Sequence, residues 1–269
     1  MLEPWGTLPD GAVVASTVDA FGRVITLSAE GDLRVDGTSC GRVTDPGRYP
    51  LIDTVGDGFV LVDARCRTRP GAEPPRNGRI LDGTGRVVTA FHAGDAVEAL
   101  VAGSAGEIWT SYFDEASIRV GGAKRYHPGL IRWTAGGEPA WWAIDDPVRL
   151  SWMDCYVLNV GERRTWAVPY TEVPLVEVGR EGIRSVRRSP LRRPRGVAVS
   201  GGDAVFLSVT GKHPGYSWHL EPASLTGGEV VPGPPVPLGL PDGSAPIRWV
   251  CRGNRMWLQA GRTWYALGL

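Results

Sequence analysis

The chain has 269 residues, 42% hydrophobic and 22% charged, an ordinary globular composition that suits one large β domain or two smaller ones. Lys plus Arg and Asp plus Glu balance at 29 each, so no global field favours nucleic acid or an anionic membrane. No apolar run reaches membrane-spanning length, and none of Cys40, Cys66, Cys155 and Cys251 falls in a CxxC pair or near a His at zinc-ligand spacing.

In chain order, the opening MLEPWGTLPDG carries no basic or apolar leader pattern, so the expectation is a soluble cytoplasmic protein with free thiols. Helical periodicity is scarce, and Pro and Gly punctuate the chain with 22 and 37 residues. A first strand-like run, VVASTV, is followed by GRVITL and the hairpin LRVDGTSCGRV; then come PLIDTV, GFVLVD and RILDGTGRVV. VEALVA, GEIWTS and IRWTAGGEPAWW follow, and after them DCYVLNV, RRTWAV and VEVGREGIRSV. A fifth set reads GVAVS, DAVFLS and the looser WHLEPASLTGGEVV; a sixth reads IRWVC, NRMWLQ and RTWYALGL, where the chain stops.

Each set is thus a strand A, a strand B with a large apolar centre, and a C–D hairpin turning on Gly. The B-strand centres are Ile25, Leu61, Trp109, Trp166, Phe206 and Trp257, spaced 36, 48, 57, 40 and 51 residues apart. A mean near 46 lies in the range of propeller blades. A Trp at that position is expected to fill the wedge between sheets. The sixth set lacks a fourth strand, and LEPWGTL is expected to supply it, removing an exposed edge. Only Lys124 and Lys212 are lysines; the Arg, Ala, Gly and Pro bias reads as that of a GC-rich bacterial genome.

Over its whole length the pattern resembles the six-bladed β-propellers, at the level of architecture. The resemblance implies an all-β domain over 1–269, of six four-stranded antiparallel blades with the ring closed by the N-terminal segment. The WD dipeptide, the YWTD tetrad and the calcium pattern of gluconolactonase-like propellers are absent, so no activity comes with it. Five or seven blades also fit the irregular spacing.

In such a fold, residues opening strand A and closing strand B converge on one face. The A openings read as Ser16, Asp53, Glu98, Asp154, Arg195 and Arg248. Asp53, Glu98 and Asp154 are therefore the catalytic candidates, because crowded carboxylates in a partly dry mouth acquire raised pKa values suited to acid–base work. Arg195 and Arg248 are the anion clamps. Tyr112, Glu115, Tyr170 and Glu172 stand near the ends of strand B, and His127 and His213 sit in the echoing stretches KRYHPG and GKHPG; all six are assigned to ligand binding. No cofactor is required, although three hard oxygen donors would also suit Ca²⁺ or Mg²⁺. The competing account is a solvated channel plugged by paired polar residues.

GREGIRSVRRSPLRRPRG packs seven arginines between Arg180 and Arg195 without interleaved aromatics, which favours a solvated basic rim over a nucleic-acid site. VVPGPPVPLGLPDGSAP reads as a stiff connector. There is no GxSxG elbow, HExxH, P-loop or dinucleotide fingerprint, and Cys155 and Cys251 read as core residues. The expectation is a small-molecule-binding propeller with a polar channel mouth, capable of hydrolase, lyase or cyclase chemistry. The alternative is a non-catalytic scaffold for a protein partner.

Overall fold

The computed structural model describes residues 2–269 except 68–71, 117, 121–123, 127, 213, 214 and 242, with backbone alone at 118–120 and 124–126. The chain divides into two compact units, Leu8–Asp154, and Cys155–Leu269 with Met1–Thr7. Apart from one 3-10 turn, Ala143–Asp145, its described regular elements are strands. The first of them, β1 (Glu3–Thr7), belongs to the second unit.

In Leu8–Asp154 the first sheet runs β2 (Val13–Val18), β3 (Val24–Ser28), β4 (Asp32–Val35) and β5 (Thr38–Arg42). The second runs β6 (Pro50–Val55), β7 (Gly58–Asp63), β8 (Gly78–Leu81) and β9 (Val87–Phe91). The third has β10 (Val97–Ala102) and β11 (Ile108–Tyr112), then β14 (Leu130–Trp133) and β15 (Pro139–Trp142); a separate hairpin, β12 (Ile118–Val120) with β13 (Lys124–Tyr126), interrupts it. All pairings within these sheets are antiparallel.

Local chemistry sets the turns. Between β4 and β5, Asp36 and Gly37 both have positive φ, 48° and 79°, the backbone that a two-residue type I′ hairpin demands and that Asp-Gly tolerates. Gly85 is needed for a different reason. Thr84 accepts a hydrogen bond from the Arg42 amide at 2.9 Å, and a Cβ on Gly85 would lie 2.6 Å from the Arg42 carbonyl oxygen. Strand β5 and the turn between β8 and β9 therefore approach backbone to backbone.

In the second unit, β16 (Asp154–Val160), β17 (Thr165–Tyr170), β18 (Leu175–Gly179) and β19 (Gly182–Arg187) follow in order. Next come β20 (Pro194–Ser200), β21 (Asp203–Thr210), β22 (Ser217–Thr226) and β23 (Glu229–Pro232). The proline-rich connector is not wholly free-running: β24 (Val236–Pro237) pairs with β22, opposite His219 and Leu220. Pro is tolerated there because an edge position needs no donation from its nitrogen. The last sheet has the order β1-β27-β26-β25, from β25 (Arg248–Arg252), β26 (Arg255–Ala260) and β27 (Thr263–Gly268). Its β1 is the N-terminal segment, antiparallel to β27 from Glu3↔Ala266 to Thr7↔Thr263. Trp5 packs edge-on against Trp257 at 5.8 Å. One parallel bridge, Asn159↔Cys251, links β16 to β25.

All six B-strand centres are buried, from Ile25 and Leu61 at 0% exposure to Trp166 and Trp257 at 4%. The expectation that these centres are buried is thus met, and each such aromatic contributes about 2–3 kcal/mol through burial. Cys155 and Cys251 are buried as well, and burial pushes the Cys251 thiol up to about 12.

Candidate functional site

The inner strands carry two kinds of polar residue, one near each end. Near the A–B turns the side chains are buried and occupied. Asp53 is fully buried, pairs with Val60 two steps from the turn, and accepts hydrogen bonds from the Thr54 amide at 2.9 Å and the Ala102 amide at 2.7 Å. Asp19, also fully buried, accepts the Thr54 hydroxyl at 3.0 Å, the Phe21 and Arg23 amides, and the Arg23 guanidinium at 2.7 Å. Such charge-assisted bonds splice β2 to β6 and β6 to β10. In the second unit Asn159 does the same work, donating to the Val197 and Gly253 carbonyls and accepting the Gly253 amide.

At the opposite end, a bulge falls at the second residue of three inner strands: Val14, Glu98 and Arg195 are each skipped by the ladder. A bulge re-aims its side chain out of the strand's alternation. Glu98 is exposed and Arg195 half-buried. Ser16 and Asp53 are not equivalent to these two; both stand further along their strands toward the turn.

Two further expected residues are placed differently from their assignment. Tyr112 is completely buried: its hydroxyl donates to the Ala93 carbonyl at 2.6 Å and accepts from Thr110, which in turn accepts the Trp133 indole N–H at 2.8 Å. Burial holds its pKa well above the ordinary phenol value. It is a core residue and shapes no pocket. Glu115 is exposed and bonded at 2.7 Å to Arg65, whose guanidinium also lies 3.2 Å from Asp95 and over the Phe113 ring.

In the second unit the structure gathers Arg195 and Tyr170. The Arg195 guanidinium stands 5.9 Å from the Tyr156 ring centre, and Tyr156 and Tyr170 pack with centroids 5.6 Å apart. Tyr170, the last residue of β17, remains 40% exposed. Glu172 is exposed two residues on, and Asp154 opens β16 two residues before Tyr156. Arg248, the first residue of β25, is half-buried, and desolvation lowers its pKa. His127 and His213 lie outside the described residues. Among those described, no group of three or more His, Cys, Asp or Glu side chains is placed to hold a metal ion.

The arginine run is largely turned back on the protein. Arg187 lies over Trp166 and 3.7 Å from buried Glu177, Arg188 pairs with Glu229 at 2.6 Å, and Arg193 donates to the Gly211 carbonyl.

A cleft of about 370 Å³ in the first unit was not anticipated as a whole. Asp45, Gly47, Asp63, Cys66, Pro75 and Asn77 form its walls, with Arg65, Arg67, Arg76 and Arg79 around it. The signal in the sequence is the stretch DARCRTRPGAEPPRNGR, an arginine-rich B–C connection far longer than the turn that joins β3 to β4.

No family model matches the chain, and no curated protein is similar to it in sequence. Solved structures are similar in shape. Hydrazine synthase of Kuenenia stuttgartiensis superposes with a TM-score of 0.59 at 10% identity, covering 93% of this chain and 74% of that one. A luciferin-regenerating enzyme gives 0.53 at 12% identity, over 100% and 95%. The β-propeller domain of Cps50 (Swd1) from Myceliophteria thermophila gives 0.51 at 8% identity, over the full length of both chains. At such identities the likeness is one of fold, not of activity. The all-β chain of four-stranded antiparallel sheets has the architecture of a β-propeller.

Proposed function

We propose that this protein is a small-molecule-binding β-propeller that anchors an acidic, ring-bearing ligand at Arg195 and the Tyr156–Tyr170 pair. The observation that carries the reading is the guanidinium held over the Tyr156 ring, on a bulge, with Tyr170 packed at a tilt against Tyr156 and 40% open to solvent. A guanidinium fork matches a carboxylate or phosphate in two parallel hydrogen bonds, and an exposed aromatic face takes the flat side of a ring. Half-buried Arg248 in the same unit is the second anion clamp of this proposal.

Two extensions belong to it. The six blades form one ring closed by the N-terminal segment, a reading supported by the pairing of β1 with β27. Acid–base turnover of the ligand would use Asp154, which opens β16 two residues before Tyr156, while Asp53, with both oxygens held by amides, braces the inner strands of the first unit. Cytoplasmic residence and a Ca²⁺ or Mg²⁺ alternative are carried on the same terms; no described helix is long and apolar enough to cross a membrane.

Native mass spectrometry of protein purified without chelator tests the reading. The expected result is a mass excess lost on denaturation and absent from Arg195→Ala and Tyr170→Ala; an increment that EDTA removes would identify a divalent ion. An excess that survives both substitutions would refute the assignment to Arg195. The second reading, a scaffold for a protein partner, is favoured by β9, an outer strand exposing Val87 and Val88 at 53% and 65%. Val88→Glu should abolish partner capture in that case and leave the mass excess intact.

A further inference from the structure

The cleft of the first unit lies outside the site just proposed and has chemistry of its own. Six charged side chains line it: Asp45, Asp63, Arg65, Arg67, Arg76 and Arg79. Four guanidiniums against two carboxylates leave the lining at a formal +2. The carboxylates are also the groups already engaged. Asp63 accepts the Arg48 amide at 2.9 Å and the Tyr49 amide at 3.1 Å, and Asp45 accepts the Gly47 amide at 2.9 Å. Gly47 permits this fold-back, since a Cβ there would meet the Asp63 carboxylate at 3.1 Å on a backbone with φ of 85°.

The guanidiniums differ in their freedom. Arg65 is fixed by Asp95, Glu115 and Phe113, and Arg79 donates to the Asp45 carbonyl at 2.7 Å. Arg67 and Arg76 are exposed, and among the described residues neither side chain has an ion pair or hydrogen bond. Their chain neighbours are hydrogen-bonded into the fold. Asn77 donates to the Asp63 and Gly94 carbonyls and accepts the Ala93 amide, and Asp95 accepts the Cys66 and Ala96 amides. Two preset arginines and two free ones thus surround a volume within the range of small-molecule sites.

We infer that this cleft binds a phosphate dianion, carried on a small molecule as a monoester or supplied as free phosphate. A carboxylate is saturated by one guanidinium fork, whereas three terminal phosphate oxygens take donors from several arginines at once. Arg65 is already answered by Asp95 and Glu115, so Arg67 and Arg76 are the guanidiniums left to meet the charge of a phosphate. Cys66 takes no part as a nucleophile, because burial pushes its thiol up to about 11 and keeps it protonated.

Isothermal titration at physiological salt with glycerol phosphate, glycerate and inorganic phosphate tests the inference. The phosphate probes should bind at least about tenfold more tightly than glycerate, and the Arg67→Ala/Arg76→Ala double variant should lose at least about tenfold of that affinity. Equal affinity for the ester and the free ion would identify phosphate alone as the ligand; tighter binding of the ester would identify the monoester. The melting temperature of the double variant should match the parent, since both side chains are exposed. Glycerate binding as well as glycerol phosphate, an unchanged affinity in the double variant, or no heat with either phosphate probe would each overturn the inference. Arg195→Ala should leave all three titrations unaltered, which separates this site from the one proposed in the second unit.

Discussion

The two polar clusters of the first unit make an instructive pair. Near the A–B turns, the Asp19 and Asp53 carboxylates are buried and answered by backbone amides, a hydroxyl and Arg23. Around the cleft, the guanidiniums of Arg67 and Arg76 stand exposed over a concave surface. Both clusters are charged, and both flank β7 and the inner strand β6. What separates them is hydrogen-bond satisfaction. A buried charge whose bonds are met by the protein rigidifies a fold; a charge left to water is available to a ligand.

Substitutions should divide along the same line. The largest effect is expected at Asp53→Ala, which leaves the buried Thr54 and Ala102 amides without acceptors and should cost about 3 kcal/mol or more of unfolding free energy. Urea denaturation reads this directly, and the phosphate titration of the surviving folded protein should be unchanged. Tyr112→Phe comes next. It removes the hydroxyl between Ala93 and Thr110, at about 1–2 kcal/mol, again with no effect on ligand binding. A loss of ligand without loss of stability in that variant would return Tyr112 to a pocket role.

Smaller is the change at Glu115→Gln. Its partner Arg65 is partly exposed and Glu115 itself 61% exposed, so less than about 1 kcal/mol of stability is at stake. Arg65 would nonetheless lose one of its two ion pairs, and phosphate affinity should change more than the melting temperature does. Stability should also depend on pH. Burial raises the Cys66 and Cys251 thiols to about 11 and about 12, against about 8.5 in an unfolded chain. Between those values the folded state keeps protons that the unfolded state has lost, so stability should fall as pH rises through that window. Alkylation at pH 8 should modify exposed Cys40 in the native protein and spare Cys66, Cys155 and Cys251 until denaturant is added.

Strand order was legible because it rests on short-range chemistry. Apolar centres such as Leu61 and Trp166, and hairpin pairs such as Asp36-Gly37, mark strand and turn within a few residues. The pairing of β1 with β27 could also be anticipated, from a last sheet one strand short. The site was legible only in part. Arg195 and Tyr170 do meet through Tyr156, yet Tyr112, which like Tyr170 closes a B strand, is core. The bulges at Val14, Glu98 and Arg195 shift the count by one, and β6 carries none. An alignment by residue number therefore placed Asp53 at the wrong end of its strand.

By itself, then, the sequence determined the β architecture, the recurrence of a four-strand unit and the burial of its aromatic centres. These depend on periodicity and turn conformation, which neighbours in the chain decide. Only the tertiary structure decided which polar groups are spent on the fold. Asp53 meets the Ala102 amide across 49 residues, and Arg65 meets Glu115 across 50. Whether a charge is satisfied or open is set by such long-range partners, and no local pattern encodes them.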